Sequence, residues 1–248
     1  MRNILLFILL SVSLGCSGKQ PYLSKQDSNQ KWNLVWSEDF DDPQTIDDNW
    51  KAENAAPSHI LSSRWRENVS VHDGYLFLNN RKETREGKDW TSASITRKSS
   101  VHYGYMECRM KISASTGVNN SFWLYNWSRE GHHAFEIDIV ESHYPNIIRT
   151  NVHDNGTKAK KTNIQYSKKI SNEKNLSEDF HVYGFEWSEK YMKYYFDGKL
   201  VRTEKNKVCV ASARMVLGTA VMKWAGEVTD SIDGTSMVVD WVRYYTKK

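Results

Sequence analysis

Several signatures of common enzyme and binding classes are missing from this chain of 248 residues. It contains no CxxC pair, no HExxH motif and no glycine-rich phosphate loop, which argues against metal-dependent hydrolases and nucleotide-binding proteins. Lysine and arginine number 34 against 30 acidic residues, and no dense basic block occurs, so nucleic acid is a poor candidate partner. No amphipathic helix of three turns, internal repeat or low-complexity segment is visible. The length suits one domain with a sizeable core.

The N-terminal residues have the layout of an export signal. Arg2 precedes an apolar run that is too short to span a membrane comfortably, and small residues lead to Cys16. The sequence LGCS resembles the lipobox of bacterial lipoproteins, in which cleavage before the cysteine leaves a lipid-bearing N-terminus. We therefore expect a signal peptide over 1–15, a lipid anchor at Cys16, a flexible polar tether over 16–31 and one domain over 32–248. This predicts a bacterial cell-envelope lipoprotein at the outer membrane or cell surface, with a plain secretory signal as the alternative.

The other two cysteines, Cys108 and Cys209, each lie inside an apolar, strand-like run. A disulfide suits an exported protein, but two cysteines cannot establish a bridge by spacing alone. Buried free thiols are the favoured interpretation.

From residue 32 onward the sequence is typical of an all-β domain. Short runs rich in β-branched and aromatic residues are separated by turn residues. The pairs Asp73-Gly74 and Asp197-Gly198 favour hairpins because their turns require positive φ. So many strands in a chain of this size predict two antiparallel sheets packed face to face, a β-sandwich.

The stretch HHAFEIDIVESHY places three acids on one predicted strand. Glu136 and Asp138 alternate with apolar residues, but Glu141 arrives one residue late. A β-bulge near Ile139-Val140 would absorb one residue and return Glu141 to the face of the other two. The two glutamates, roughly 13 Å apart at Cα, could then lean together toward the roughly 5–5.5 Å carboxyl separation of a retaining glycosidase. A solvated acidic strand edge is the alternative.

This strand belongs to a longer resemblance. EIDIVE matches the bulged E-x-D-x-x-E active-site strand of glycoside hydrolase family 16. Other stretches of this sequence also resemble segments of the family and occur in the family's order. They are NVSVHDGYLFL, WTSASITRKSSVHYGYMECRMKIS, NNSFWLYNW, HVYGFEWSEKYMKYYFDGK and VVDWVRYY. The resemblance covers nearly all of 32–246 and implies a jelly-roll sandwich with a concave groove and a retaining double displacement. It implies Glu136 as the nucleophile, Asp138 as the assisting acid and Glu141 as the general acid/base.

The resemblance also suggests residues that line the groove. Trp123 matches the aromatic residue that flanks the cleavage subsite, and Trp127 or Trp224 are candidates for further stacking on sugar rings. Core packing is the alternative for each, since the chain has ten tryptophans and thirteen tyrosines. His153 falls on the strand expected to pair with the catalytic one, where several galactan-cleaving members place a substrate-contacting histidine. A structural histidine is the alternative.

One departure from the family pattern bears on the substrate. Laminarinases and lichenases usually carry W-P-x-x-G-E before the motif, whereas this chain has GHHAFE. The segment SSRWRENVSVHDG is instead similar to algal-galactan enzymes, and Arg64 and Arg66 are predicted either to meet sulfate or to be solvated edge charges. We expect hydrolysis of internal β-linkages in an agar, porphyran or carrageenan type of galactan. A laminarin-cleaving β-1,3-glucanase, a transglycosylase and a non-catalytic sugar-binding sandwich are the alternatives.

Some family members hold a structural calcium ion on the convex face. Glu38 and Asp240 are the candidates here, and no cofactor is expected in the chemistry. We expect a monomer that has no nucleic-acid partner and is attached to the membrane through its lipid alone.

Overall fold

The computed structural model describes residues 19–23 and 30–248, so the predicted signal peptide and Cys16 lie outside the described residues. Helical structure within those ranges is sparse. One short α-helix, α1, spans Thr45–Asn49, and 3-10 turns occupy Arg66–Asn68, Lys223–Ala225 and Asp230–Ile232. No helix in the described part of the chain is long and apolar enough to cross a membrane.

The described residues form eighteen β-strands. In chain order they are β1 (Trp32–Glu38), β2 (Trp50–Ala52), β3 (Ser62–Arg64), β4 (Val69–His72), β5 (Tyr75–Asn79), β6 (Trp90–Ser92), β7 (Ser94–Val101), β8 (Gly104–Lys111), β9 (Val118–Asn126), β10 (Phe135–His143), β11 (Ile147–Gly156), β12 (Lys161–Gln165), β13 (Lys168–Ser171), β14 (His181–Trp187), β15 (Tyr191–Phe196), β16 (Lys199–Lys205), β17 (Ala213–Val221) and β18 (Ser236–Lys247).

Two eight-stranded antiparallel sheets make up most of the molecule. The first, which we call the outer sheet, has the order β16-β15-β14-β8-β18-β5-β4, with β1 paired to β18. The second, the groove sheet, has the order β12-β11-β10-β9-β17-β7-β2, with β13 paired to β11. Strands β3 and β6 form a small parallel pair beside them. The predicted all-β jelly-roll sandwich is confirmed.

The core lies between the two sheets and sets the direction of every second side chain. Met106 and Cys108 of β8 belong to the same buried apolar cluster as Phe122 and Leu124 of β9. Because side chains alternate along a strand, the side chain between Phe122 and Leu124 points away from the core. Every second side chain of β9 and of its neighbouring strands therefore lies on the exposed face of the groove sheet.

Two tight hairpins form where the sequence predicts them. Asp73 and Gly74 have φ of 54° and 75°, and Asp197 and Gly198 have φ of 46° and 75°. Positive φ at both central residues is the backbone shape that matches the twist of the flanking strands, and glycine adopts it without a steric penalty.

Residues 19–23, which we call the N-terminal strap, lie against the outer sheet. The backbone N–H of Tyr22 donates to Glu107 Oε2 at 2.8 Å, and Lys19 Nζ lies 2.7 Å from Asp39 Oδ2. Glu107 is completely buried, and burial raises its pKa to about 7. This part of the predicted flexible tether is therefore docked on the domain, because a backbone donor and an ion pair hold it.

Cys108 and Cys209 are both buried and free, which confirms the favoured interpretation. Burial raises the pKa of each thiol well above its usual range. Neither thiol is available as a nucleophile in the folded chain.

Candidate active site

The predicted bulge is present in β10. Asp138 pairs with Asn151 and Glu141 pairs with Arg149, so Ile139 and Val140 together oppose a single residue of β11. The extra residue resets the alternation, and Glu141 rejoins the face that carries Asp138.

Glu136, Asp138 and Glu141 all line a groove of about 1110 Å³ on the exposed face of the groove sheet. Burial is the main reason why the pKa of each carboxyl is raised: that of Glu136 to about 8, and that of Asp138 well above its ordinary value. Repulsion between the carboxylates adds to the effect for Glu136 and Asp138. The cluster therefore retains protons at neutral pH, as a site that needs a general acid requires.

Strand β11 supplies polar partners for two of the acids. By register, His153 lies opposite Glu136 and Asn151 lies opposite Asp138. His153 Nε2 is 3.1 Å from Asp138 Oδ2 and 2.8 Å from Asn151 Nδ2. Without a proton this nitrogen accepts from the amide, and with one it donates to the carboxyl group. The predicted pairing of the His153 strand with the catalytic strand is confirmed, and the imidazole faces the acids.

Glu141 is held from the other side by β9. Asn119 Nδ2 donates to Glu141 Oε1 at 2.8 Å, which lowers the pKa of the carboxyl against the opposing effect of burial. Ser121, directly across from Glu141, instead donates its hydroxyl to the carbonyl of Gly218. Asn119 is thus the β9 side chain that orients this carboxylate.

Three aromatic rings follow one another along β9 and into the following loop. Trp123, Tyr125 and Trp127 all line the groove. The rings of Tyr125 and Trp127 stack at 5.1 Å between centroids, and Trp127 is 47% exposed. Trp224, in the turn after β17, also lines the groove and is 45% exposed. The three predicted tryptophans therefore lie in the groove rather than in the core, with flat faces available for sugar rings.

The two arginines predicted either to meet sulfate or to be solvated edge charges lie in different surroundings. Arg64 lines the groove, but its guanidinium forms an ion pair at 2.8 Å with Glu53. Arg66 is not among the groove residues and pairs with Asp47. The 3-10 turn that begins at Arg66 breaks the strand alternation that would have placed both side chains on one face.

The two candidate calcium ligands are each engaged by an arginine. Glu38 is buried and forms an ion pair with Arg97, and Asp240 forms one with Arg109. Because each carboxylate is already neutralised by a different cation, the geometry lends the calcium expectation no support.

A cluster whose spacing would suit a metal ion occurs among the described residues at Glu136, Asp138 and His153, with ligand atoms within 4.8 Å of one another. Two of them, Glu136 and Asp138, are also the acids that the sequence predicts for the glycosidase chemistry.

Sequence reasoning missed the polar residues that surround the acids. Asn119 and Tyr125 share the face of Trp123 at a spacing of two, and Arg149 and Asn151 share the face of His153 in the same way. Counting by two from Trp123 and His153 would have placed them on these faces, but it would not have shown which acid each of them lies against.

A concave face that combines neighbouring carboxylates with a row of exposed aromatic rings is the arrangement of a carbohydrate-active protein. The profile of the glycosyl hydrolases family 16 matches residues 58–243, and the chain belongs to that family.

A β-glucanase of Acetivibrio thermocellus is 27% identical over 201 residues, which cover 79% of this chain and 58% of that protein. This chain therefore spans little more than half the length of that relative. The laminarinase catalytic domain of Thermotoga maritima MSB8 is 25% identical, with a TM-score of 0.77 over 88% of this chain and 100% of its own. Porphyranase B of Zobellia galactanivorans shares the fold at 20% identity, with a TM-score of 0.76 over 92% of this chain and 97% of its own.

Proposed function

We propose that this protein is an endo-acting glycoside hydrolase that cuts internal β-linkages of a polysaccharide with retention of configuration. The observation that carries the proposal is the bulged strand β10, which brings Glu136, Asp138 and Glu141 to one face of an aromatic-lined groove. The groove is large enough for several sugars, which suits attack within a chain rather than at its end.

In the proposed mechanism Glu136 attacks the anomeric carbon while Glu141 protonates the departing glycosidic oxygen. Glu141 then takes a proton from water, which attacks the anomeric carbon and releases Glu136. Asp138 lies between them on β10. The pKa of Glu136 is raised to about 8 and its carboxyl group donates a hydrogen bond to Asp138, so Glu136 passes its proton to Asp138 before it attacks. Asn119 orients Glu141 for both proton transfers.

For the substrate we propose a β-linked galactan of the agar, porphyran or carrageenan type. Its support is the missing W-P-x-x-G-E lead and the position of His153 against the acids. A β-1,3-glucan is the second candidate, because the β-glucanase and laminarinase named above are relatives of this chain. The two candidates differ in the polymer that is cleaved, and one panel of substrates separates them.

We also propose that the protein is exported and anchored at the cell surface through a lipid on Cys16, as a monomer. The LGCS sequence supports the lipid anchor. Labelling with a radioactive fatty acid, lost in Cys16→Ala, tests the anchor. A calcium ion is not required by the proposed chemistry.

The test of the activity compares wild type with Glu136→Gln on agarose, porphyran, carrageenan and laminarin. Reducing-end release is expected to fall by several orders of magnitude, because the amide cannot attack the anomeric carbon. Glu130→Gln is a matched control, since Glu130 pairs with Lys158 outside the groove. Proton NMR of the first product shows whether the anomeric configuration is retained. Full activity of Glu136→Gln would remove this residue from the mechanism.

A sugar-binding sandwich without chemistry is separated from the enzyme by the same panel. It would hold one of these polymers tightly and release no reducing ends from it. Longer products than the starting oligosaccharide would instead indicate transfer to a sugar acceptor.

A further inference from the structure

Arg149 is a groove cation that forms no hydrogen bond or ion pair with the described residues, although its charge acts on Glu141 and its guanidinium lies over the Trp224 ring. It lies on β11 directly across from Glu141, and its side chain lines the groove. Its Nε is buried without a hydrogen-bond acceptor, and no carboxylate of the described residues lies within ion-pair distance of its guanidinium. This Nε is out of reach of a groove ligand, but no hydrogen bond of the described residues uses either Nη group, so both Nη groups can donate to a ligand in the groove.

Three of the other four groove cations are engaged by protein groups, and the fourth, Lys51, is exposed on the edge strand β2. Arg64 is neutralised by Glu53, Lys168 Nζ donates to the carbonyl of Val201, and Arg214 donates to a backbone carbonyl. Glu141 receives its hydrogen bond from Asn119. Within the described part of the chain the Arg149 guanidinium is therefore left facing the groove.

Trp224 forms a platform beside this guanidinium. The Cζ atom of Arg149 lies 5.5 Å from the centre of the indole, and the ring of His143 meets the same indole edge to face at 4.4 Å. The indole N–H donates to Met222 Sδ, which fixes the orientation of the ring. A sugar stacked on Trp224 would hold its ring substituents within reach of Arg149.

The net charge of the groove also favours an anionic ligand. The lining cations are Lys51, Arg64, Arg149, Lys168 and Arg214, against four carboxylates. Burial raises the pKa of three of those carboxylates, so fewer than four are ionised at neutral pH. A groove with a positive balance attracts an anionic polymer, and a neutral glucan gains nothing from it.

We infer that Arg149 and Trp224 form a subsite for a sugar that carries an anionic substituent, a sulfate ester or a carboxylate, next to Glu141. The planar guanidinium can give two parallel hydrogen bonds to either group. The inference rests on the proposed function, since it assigns a substrate class to the same groove.

The first test measures binding alone, in the inactive Glu136→Gln chain. The probes are carrageenan, the same carrageenan after chemical desulfation, alginate as a carboxylate polymer, and laminarin. Adding Arg149→Gln is expected to weaken binding of the preferred anionic polymer about 10- to 100-fold and to leave binding of laminarin and desulfated carrageenan within about twofold. Carrageenan and alginate then distinguish sulfate from carboxylate recognition.

Two further variants separate a specific contact from general charge and from misfolding. Arg66→Gln removes the same charge outside the groove and should leave binding unchanged. Arg149→Lys keeps the charge but loses the planar fork, so an intermediate loss is expected. The inference would be overturned if the Glu136→Gln chain bound neither carrageenan nor alginate more tightly than desulfated carrageenan and laminarin. An equal loss for all four polymers in Arg149→Gln would also overturn it.

The proposed function can fail separately from the subsite. Anionic binding that depends on Arg149, without cleavage of any polymer by wild type, would refute the hydrolase and keep the subsite. Cleavage of a polymer by wild type would keep the hydrolase. If Arg149→Gln then left unchanged the ratio of kcat/KM for the preferred anionic polymer to that for a neutral polymer, the subsite would be refuted.

Discussion

Replacing Asn119 by alanine tests how the groove tunes its proposed general acid. The Asn119 amide donates to Glu141 Oε1 at 2.8 Å and favours the ionised carboxylate. Loss of one hydrogen bond to a charged group is worth about 1.5 kcal/mol. That energy raises the pKa of Glu141 by about one unit. Because Glu141 must be protonated to donate to the leaving oxygen, the basic limb of the pH profile should move up by the same amount.

The assay is kcat/KM on the cleaved polymer across the pH range, which reports the pKa values of the free enzyme. Ser121→Ala is the matched control, because this groove residue on the same strand faces Glu141 but bonds to Gly218. Its basic limb should stay in place. A basic limb that is unmoved in Asn119→Ala, or moved to lower pH, would refute the role assigned to Asn119.

Three other predictions concern the aromatic row, the outer sheet and the thiols. Trp127→Ala should raise KM for the polymer about fivefold at similar kcat, because a stacking face worth about 1 kcal/mol is lost; an unchanged KM in steady-state kinetics would contradict this. Burial raises the pKa of Glu107 from 4.5 to about 7, so the folded chain loses stability as pH rises between these values. In Glu107→Gln the fall in the free energy of unfolding between acidic and alkaline pH, measured by denaturant titration, should be smaller by about 3 kcal/mol. An equal fall in wild type and variant would be evidence against this. In a Cys16→Ala chain, a thiol reagent should modify Cys108 and Cys209 only after unfolding, and rapid labelling of the folded chain would show that they are accessible.

The acids and their bulge could be predicted because they depend on local sequence alone. Alternation around Glu136 and Asp138 defines a face, and the late Glu141 requires one extra residue to reach it. The prediction needed no knowledge of neighbouring strands. The register in β10 matches it for that reason.

Residues contributed by other strands could not be predicted in the same way. Arg149 is across from Glu141 only because β11 returns at one particular register, which depends on the length of the turn between the strands. The position of Arg66 outside the groove could not be predicted for a related reason, since a 3-10 turn interrupts the strand period after Arg64. The docking of Tyr22 on Glu107 joins positions 85 residues apart, beyond the reach of any local pattern.

If Cys16 carries the proposed lipid, the N-terminal strap determines which side of the domain faces the membrane. It lies on the outer sheet, and the groove opens on the far side of the sandwich. Cys16 precedes Lys19 by three residues, a reach of only about 10 Å for extended chain. If the cysteine carries a lipid, the back of the sandwich rests near the headgroups. The groove then faces the medium, where a long glycan can bind without contacting the bilayer.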